Sequence, residues 1–114
     1  MGAQVNLQEV IDASSNGRVQ LDPSDTYVGN ANINEDLEII GNGAIIDLGS
    51  APGFRAINIA PNVNLVVDNV TIQNGDNGLI FDNGATAIIS NSRIIRCDQG
   101  VAHYGNGSLR FEEC

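Results

Sequence analysis

Leu65-Val-Val-Asp-Asn-Val-Thr-Ile-Gln-Asn-Gly-Asp-Asn-Gly-Leu-Ile-Phe-Asp-Asn-Gly-Ala-Thr86 is followed by Ala87-Ile-Ile-Ser-Asn-Ser-Arg-Ile-Ile-Arg-Cys-Asp-Gln-Gly-Val-Ala-His-Tyr-Gly-Asn-Gly-Ser108, and the two align without a gap at a period of 22 residues. A third copy opens with Leu109-Arg-Phe-Glu-Glu-Cys114. Each copy is made of short runs in which apolar and polar residues alternate, the pattern of half-buried strands, broken by Asn/Gly corners. No helical period intervenes. A fixed repeat of this kind predicts a solenoid of stacked coils, each covering the core of the next.

The repeat also propagates the register. Ile57, Leu79 and Val101 share one position, and Ile59, Phe81 and His103 another; Leu65, Ala87 and Leu109 stack, as do Val67, Ile89 and Phe111, and Ile72 and Ile94. These are the expected inward columns, because every second residue of a strand faces one side. Between the second and third strands of a coil stand Asn69, then Asn91, then Glu113. An Asn there can adopt a left-handed conformation and hydrogen-bond its counterpart one coil away, at a strand spacing of about 4.8 Å. Such an asparagine ladder is structural.

Upstream, Asn6-Leu-Gln-Glu9 has the form of a capping box, and Leu7, Val10 and Ile11 follow as one apolar stripe. A helix this short needs something to lie on, and the open first coil offers it. Residues 5–13 therefore read as an N-terminal cap and 18–114 as coils, in a single domain spanning 1–114 with its last coil incomplete. Arg18-Val-Gln-Leu-Asp-Pro23, Thr26-Tyr-Val28, Asn32-Ile33, Leu37-Glu-Ile-Ile40 and Ala44-Ile-Ile-Asp47 read as short strands, with Gly41-Asn-Gly43 as a turn. The segment Leu48 to Phe54 reads as an excursion that lengthens the coil from Leu37 to Asn64 to 28 residues. The expected fold is all-β, a right-handed parallel β-helix of about four coils with a short capping α-helix.

Composition narrows the partners. The net charge is −9, the five cationic residues are all arginine, and they form no basic stripe. Nucleic acid and anionic membranes are therefore not expected partners. Met1-Gly-Ala-Gln4 opens the chain with neither a basic start nor a long apolar run, so neither a signal peptide nor a membrane span is expected. Cys97 and Cys114 occupy different positions of the repeat, so stacking does not pair them and free thiols are expected.

The pattern resembles the right-handed parallel β-helix proteins of the pectin-lyase-like superfamily. The resemblance is carried by the helix from Asn6 to Ala13, by Gly17-Arg-Val-Gln-Leu-Asp-Pro23, by Ile39-Ile-Gly-Asn-Gly-Ala-Ile-Ile-Asp47, and by the repeats Val67-Asp-Asn-Val-Thr-Ile and Ile89-Ser-Asn-Ser-Arg-Ile. It covers nearly the whole chain and implies the fold; the same scaffold carries lyases, hydrolases, epimerases, tailspike domains and adhesins. The resemblance further implies that a substrate groove would run along the outer face of the first strand column. That face carries Asn58, Ile80 and Ala102 in one row and Ala60, Asp82 and Tyr104 in the next. One carboxylate among such neighbours makes no acid/base pair. The Asp-Asp, Gly-His and Arg-x-Lys signatures of polygalacturonase-like members are absent from the sequence.

Four groups of residues are candidates for function. His103 is the single histidine, but its column contains Ile59 and Phe81, so an inward structural role is expected. Asp76 and Asp98 occupy the same corner of successive coils and are candidates for Ca²⁺, alone or assisting a sugar-binding face; two monodentate carboxylates are too few for a strong site, and Asx-turn structure is the favoured reading. Asp82, Tyr104, Arg93, Arg96 and Arg110 are candidates for a ligand face that could take carbohydrate, although charges on a solvated sheet need no ligand. The last group is an edge. A solenoid needs terminal caps, and the final coil would show Val101, His103, Leu109, Phe111 and Cys114 to water, so homo-oligomerisation through that coil is expected. The first functional expectation is therefore a non-catalytic structural or self-associating module, in which no cofactor is expected. The alternative is the N-terminal part of a polysaccharide lyase or hydrolase whose catalytic coils lie further on.

Overall fold

The computed structural model describes residues 4–14, 17–49, 56–97, 99–103 and 108–112. In chain order the elements are β1 (Gln4–Asn6), α1 (Leu7–Asp12), β2 (Arg18–Gln20), β3 (Thr26–Val28), β4 (Ala31–Ile33), β5 (Leu37–Asp47) and β6 (Ile57–Ile59). They continue as β7 (Asn64–Gln73), β8 (Asn77–Phe81), β9 (Thr86–Ser90), β10 (Arg93–Ile95), β11 (Gln99–His103) and β12 (Ser108–Glu112).

Every described strand pair is parallel, and the pairs stack into three columns. The first column runs β4-β6-β8-β11. In the second, β2, the first half of β5, the first half of β7, β9 and β12 succeed one another. The third is β1, β3, the second halves of β5 and β7, and β10. The molecule is thus a parallel β-solenoid of about four turns, as the repeat predicts.

The register falls where the period puts it. Ile57, Leu79 and Val101 are in register, and so are Ile59, Phe81 and His103. Leu65–Ala87–Leu109, Val67–Ile89–Phe111 and Ile72–Ile94 pair likewise. Phe81, Ile33, Ile39, Ile46, Leu65 and Ile72 are fully buried, and together they form one continuous core along the axis. Each such side chain is worth about 2 kcal/mol of burial, so the coils hold one another through their interior rather than through surface contacts. Tyr27 is also inside, where its hydroxyl accepts from the backbone N–H of Asp22 at 2.8 Å. Ser92 stands in the column of Val70, buried but satisfied: its hydroxyl accepts from the Val70 N–H at 3.1 Å and donates to Ser90 O at 2.8 Å.

Three expectations are corrected. Gly41-Asn-Gly43 does not separate two strands, because β5 runs through it with a shift of register between Ile40 and Ala44. Nor does the excursion hold all the extra length. Paired residues are 28 apart at Leu37↔Leu65, 26 at Asp47↔Gln73 and 22 at Ile57↔Leu79, so part of the surplus sits at the β5 corner. There Asn42 and Gly43 take positive φ (55° and 91°), and a Cβ on Gly41 would collide with Val70 and the backbone of Asn69. Residues 50–55 of the excursion lie outside the described residues. The third correction concerns the asparagine ladder. Asn42, Asn69 and Asn91 all have φ between 54° and 62°, as expected, but the Asn91 amide donates to Asp68 Oδ1 at 2.9 Å and that of Asn42 to Leu21 O at 2.9 Å. The ladder is one of conformation, with side chains turned to neighbouring acceptors. Glu113, expected to break it, lies outside the described residues.

Candidate functional site

The two ends of the solenoid are built differently. At the N-terminal end, Asn6 Oδ1 accepts from the Glu9 N–H at 3.0 Å and starts α1, whose Leu7 and Ile11 are buried on the core while Val10 packs against it. Helix α1 then lies against β4, the first strand of the first column. Gln8 completes the closure. Its Oε1 accepts from the Asn32 N–H at 2.6 Å and its Nε2 donates to Asn32 O at 3.3 Å, so one primary amide takes the place of a neighbouring strand. Strand β1 meanwhile covers β3. The β4 edge, which would otherwise invite another chain, is occupied.

At the C-terminal end, β11 and β12 terminate their sheets, and no described strand pairs with β10 on its far side. Between them opens a hollow of about 400 Å³ lined by Ile89, Ser92, Arg93, Ile94, Ile95, Gly100 and Val101. Ile94 and Val101 belong to inward columns yet are only partly buried, since among the described residues no further coil lies over them. The hollow is therefore the cross-section of the core, with Arg93 at its rim. Of the expected edge residues, Val101 lines it directly. His103, Leu109 and Phe111 stand on β11 and β12 by backbone register, their side chains lying outside those described, as does Cys114. Ile94 and Ile95 are lining residues that the sequence does not single out for this edge. For Ile94 a signal exists, because it is the last described member of the inward column Ile46–Ile72–Ile94.

The described members of the candidate ligand face stand in different columns. Asp82 comes just after β8 in the first column, Arg110 stands on β12 in the second, and Arg93 on β10 in the third. Arg96 does not project from a strand: it sits just past β10 at φ 55°, in the place held one coil earlier by Asn74 at φ 66°. Tyr104 lies outside the described residues. In the Ca²⁺ pair, Asp76 precedes β8 and is half-buried, and Asp98 lies outside the described residues. Among the described residues no three His, Cys, Asp or Glu side chains come together to hold a metal ion. Cys97 is a free thiol whose Sγ donates to Ile95 O at 3.5 Å.

Among the described residues two carboxylates titrate below their ordinary range, each held by local hydrogen bonds. Asp22 is lowered by the backbone N–H and then the hydroxyl of Ser24, the hydrogen bonds of an Asx-turn. Burial pushes Asp47 up, but the Gly49 N–H and the side-chain amides of Gln73 and Asn74 outweigh it and hold the carboxyl low. Asp47 thereby ties the third column of one coil to that of the next. No helix among the described residues is long and apolar enough to cross a membrane. Comparison of the chain with protein-family models, with curated proteins and with solved structures returned no match.

Proposed function

We propose that this chain is a non-catalytic β-solenoid module that associates with a second copy of itself, C-terminal end to C-terminal end. The observation that carries the reading is the contrast between ends: α1 and the Gln8 amide close one, while the other presents an apolar hollow and two terminal strands. Joining two such ends about a two-fold axis would cover both hollows and let the terminal strands pair. The non-catalytic part of the reading is supported by the scatter of Asp82, Arg93 and Arg110 over three columns. Kinship with the pectin-lyase-like β-helix proteins belongs to the same proposal. Three parallel columns, a capping helix and left-handed Asn corners support it.

Val101→Asp tests the reading by placing a carboxylate in the hollow. Burying an unpaired charge there would cost several kcal/mol, more than one face of an end contact supplies. The expected result is a monomer with an unchanged far-ultraviolet spectrum. Ile95→Lys, changing a different lining residue, should act in the same direction, and a mass unchanged in both variants contradicts the proposal.

A further inference from the structure

The outward face of the second column carries a row that complements itself. Register sets Arg18 beside Glu38, Glu38 beside Val66, Val66 beside Ile88, and Ile88 beside Arg110, so the order along the solenoid is base, acid, apolar, apolar, base, and its last four members complement themselves. Ile88 is 42% exposed, and with Ile45 it is one of the two large hydrophobics exposed among the described residues. Val66 beside it is half-buried, and Arg110 is exposed. Arg18 Nε donates to Glu38 Oε1 at 2.9 Å, and the Glu38 side chain keeps 40% of its surface open.

Consider a two-fold axis parallel to the strands, passing between β7 and β9 in the plane of contact. It lays Val66 of one copy on Ile88 of the other and Glu38 on Arg110, each contact occurring twice. Facing sheets pack about 10 Å apart, a distance at which Val and Ile interdigitate and Glu reaches Arg. In the next row the same operation sets Asp68 over Ser90 of the other copy. Within one copy these two already share a hydrogen bond at 3.2 Å, which gives the apolar centre a polar border. We propose that this face is a lateral contact between two copies of the chain, separate from the end-to-end contact. Charge argues for the occupant. A chain of net charge −9 repels its copy in general, and this arrangement is one in which each Arg110 meets a carboxylate. The footprint of a few strands falls below the ~1,200 Å² of stable complexes, so the contact is weak and reversible.

Glu38 makes the contact testable by itself, because β5 lies three strand spacings from β12, about 14 Å, and an end-to-end contact does not register its charge. The experiment is sedimentation velocity over a concentration series, with folding checked by circular dichroism. Glu38→Arg alone sets Arg against Arg110, and Arg110→Glu alone sets Glu against Glu38, so each should lose the concentration-dependent rise in sedimentation coefficient that this face provides. Mixing the two variants makes both contacts opposite in sign again and should restore that rise as a heterodimer. Ile88→Asp should remove it in any combination. A mixture that sediments as the average of its components, or an Ile88→Asp variant that associates like the natural chain, overturns the proposal.

Discussion

Arg96 shows how strictly the coil dictates backbone conformation. The corner after the third column is left-handed in successive coils, at φ 66° in Asn74 and 55° in Arg96. Asn suits that region because its short amide bonds locally, whereas a long side chain there costs about 1–2 kcal/mol. Arg96→Asn is therefore expected to stabilise the fold by about 1 kcal/mol, raising the melting temperature by roughly 4 °C. Calorimetry checks it, and an unchanged or lower melting point would mean that Arg96 makes a compensating contact. Asp47 makes the complementary point about charge. Its carboxyl is held below its ordinary value of 3.8, so its contribution is complete above that value and disappears as pH falls through the folded-state value. Urea unfolding should show Asp47→Asn less stable than the natural chain by about 1 kcal/mol near neutral pH, with the gap closing well below pH 3.8. A gap that persists in acid would assign the loss to packing instead.

At the scale of elements, Gln8 is the side chain on which the closed end depends. The capping box locates α1 correctly because Asn6 and Glu9 are local signals, three residues apart. It does not reveal the role of Gln8, since the partner, the backbone of Asn32, is 24 residues away and carries no residue-type signature. The asparagine corners divide the same way. Their φ values derive from sequence, while the acceptors Asp68 and Leu21 derive only from how neighbouring coils are offset. Gly and Pro mark loops, and so they point to one loop for all the surplus residues of the longest coil. Only register pairing shows that Gly41, Asn42 and Gly43 take part of that surplus inside a strand. For the closed end, Gln8→Ala removes both hydrogen bonds to Asn32 and bares the β4 edge. The expected cost is about 1–3 kcal/mol in urea unfolding, together with a new tendency to form larger assemblies. Light scattering that shows no assembly beyond that of the natural chain would indicate that α1 protects the edge without Gln8.

Over the whole molecule, the period of 22 residues is enough to order the columns, because a solenoid repeats its environment with its sequence. It is not enough to build a site. Asp82, Arg93 and Arg110 stand at different positions of the repeat and in different columns, as the pairing of β8, β10 and β12 makes plain. What differs along the solenoid is how its first and last described coils are covered. Stacking coils buries the core only while another coil lies above, and Ile94 and Val101 are the last members of their described columns. Association through that end is the central claim. Size-exclusion chromatography with light scattering, over a wide range of concentrations, tests it most directly. In the Ile88→Asp variant, which lacks the lateral contact, the expected result is a mass rising to twice 12.0 kDa, and a mass of 12.0 kDa at every concentration would contradict it.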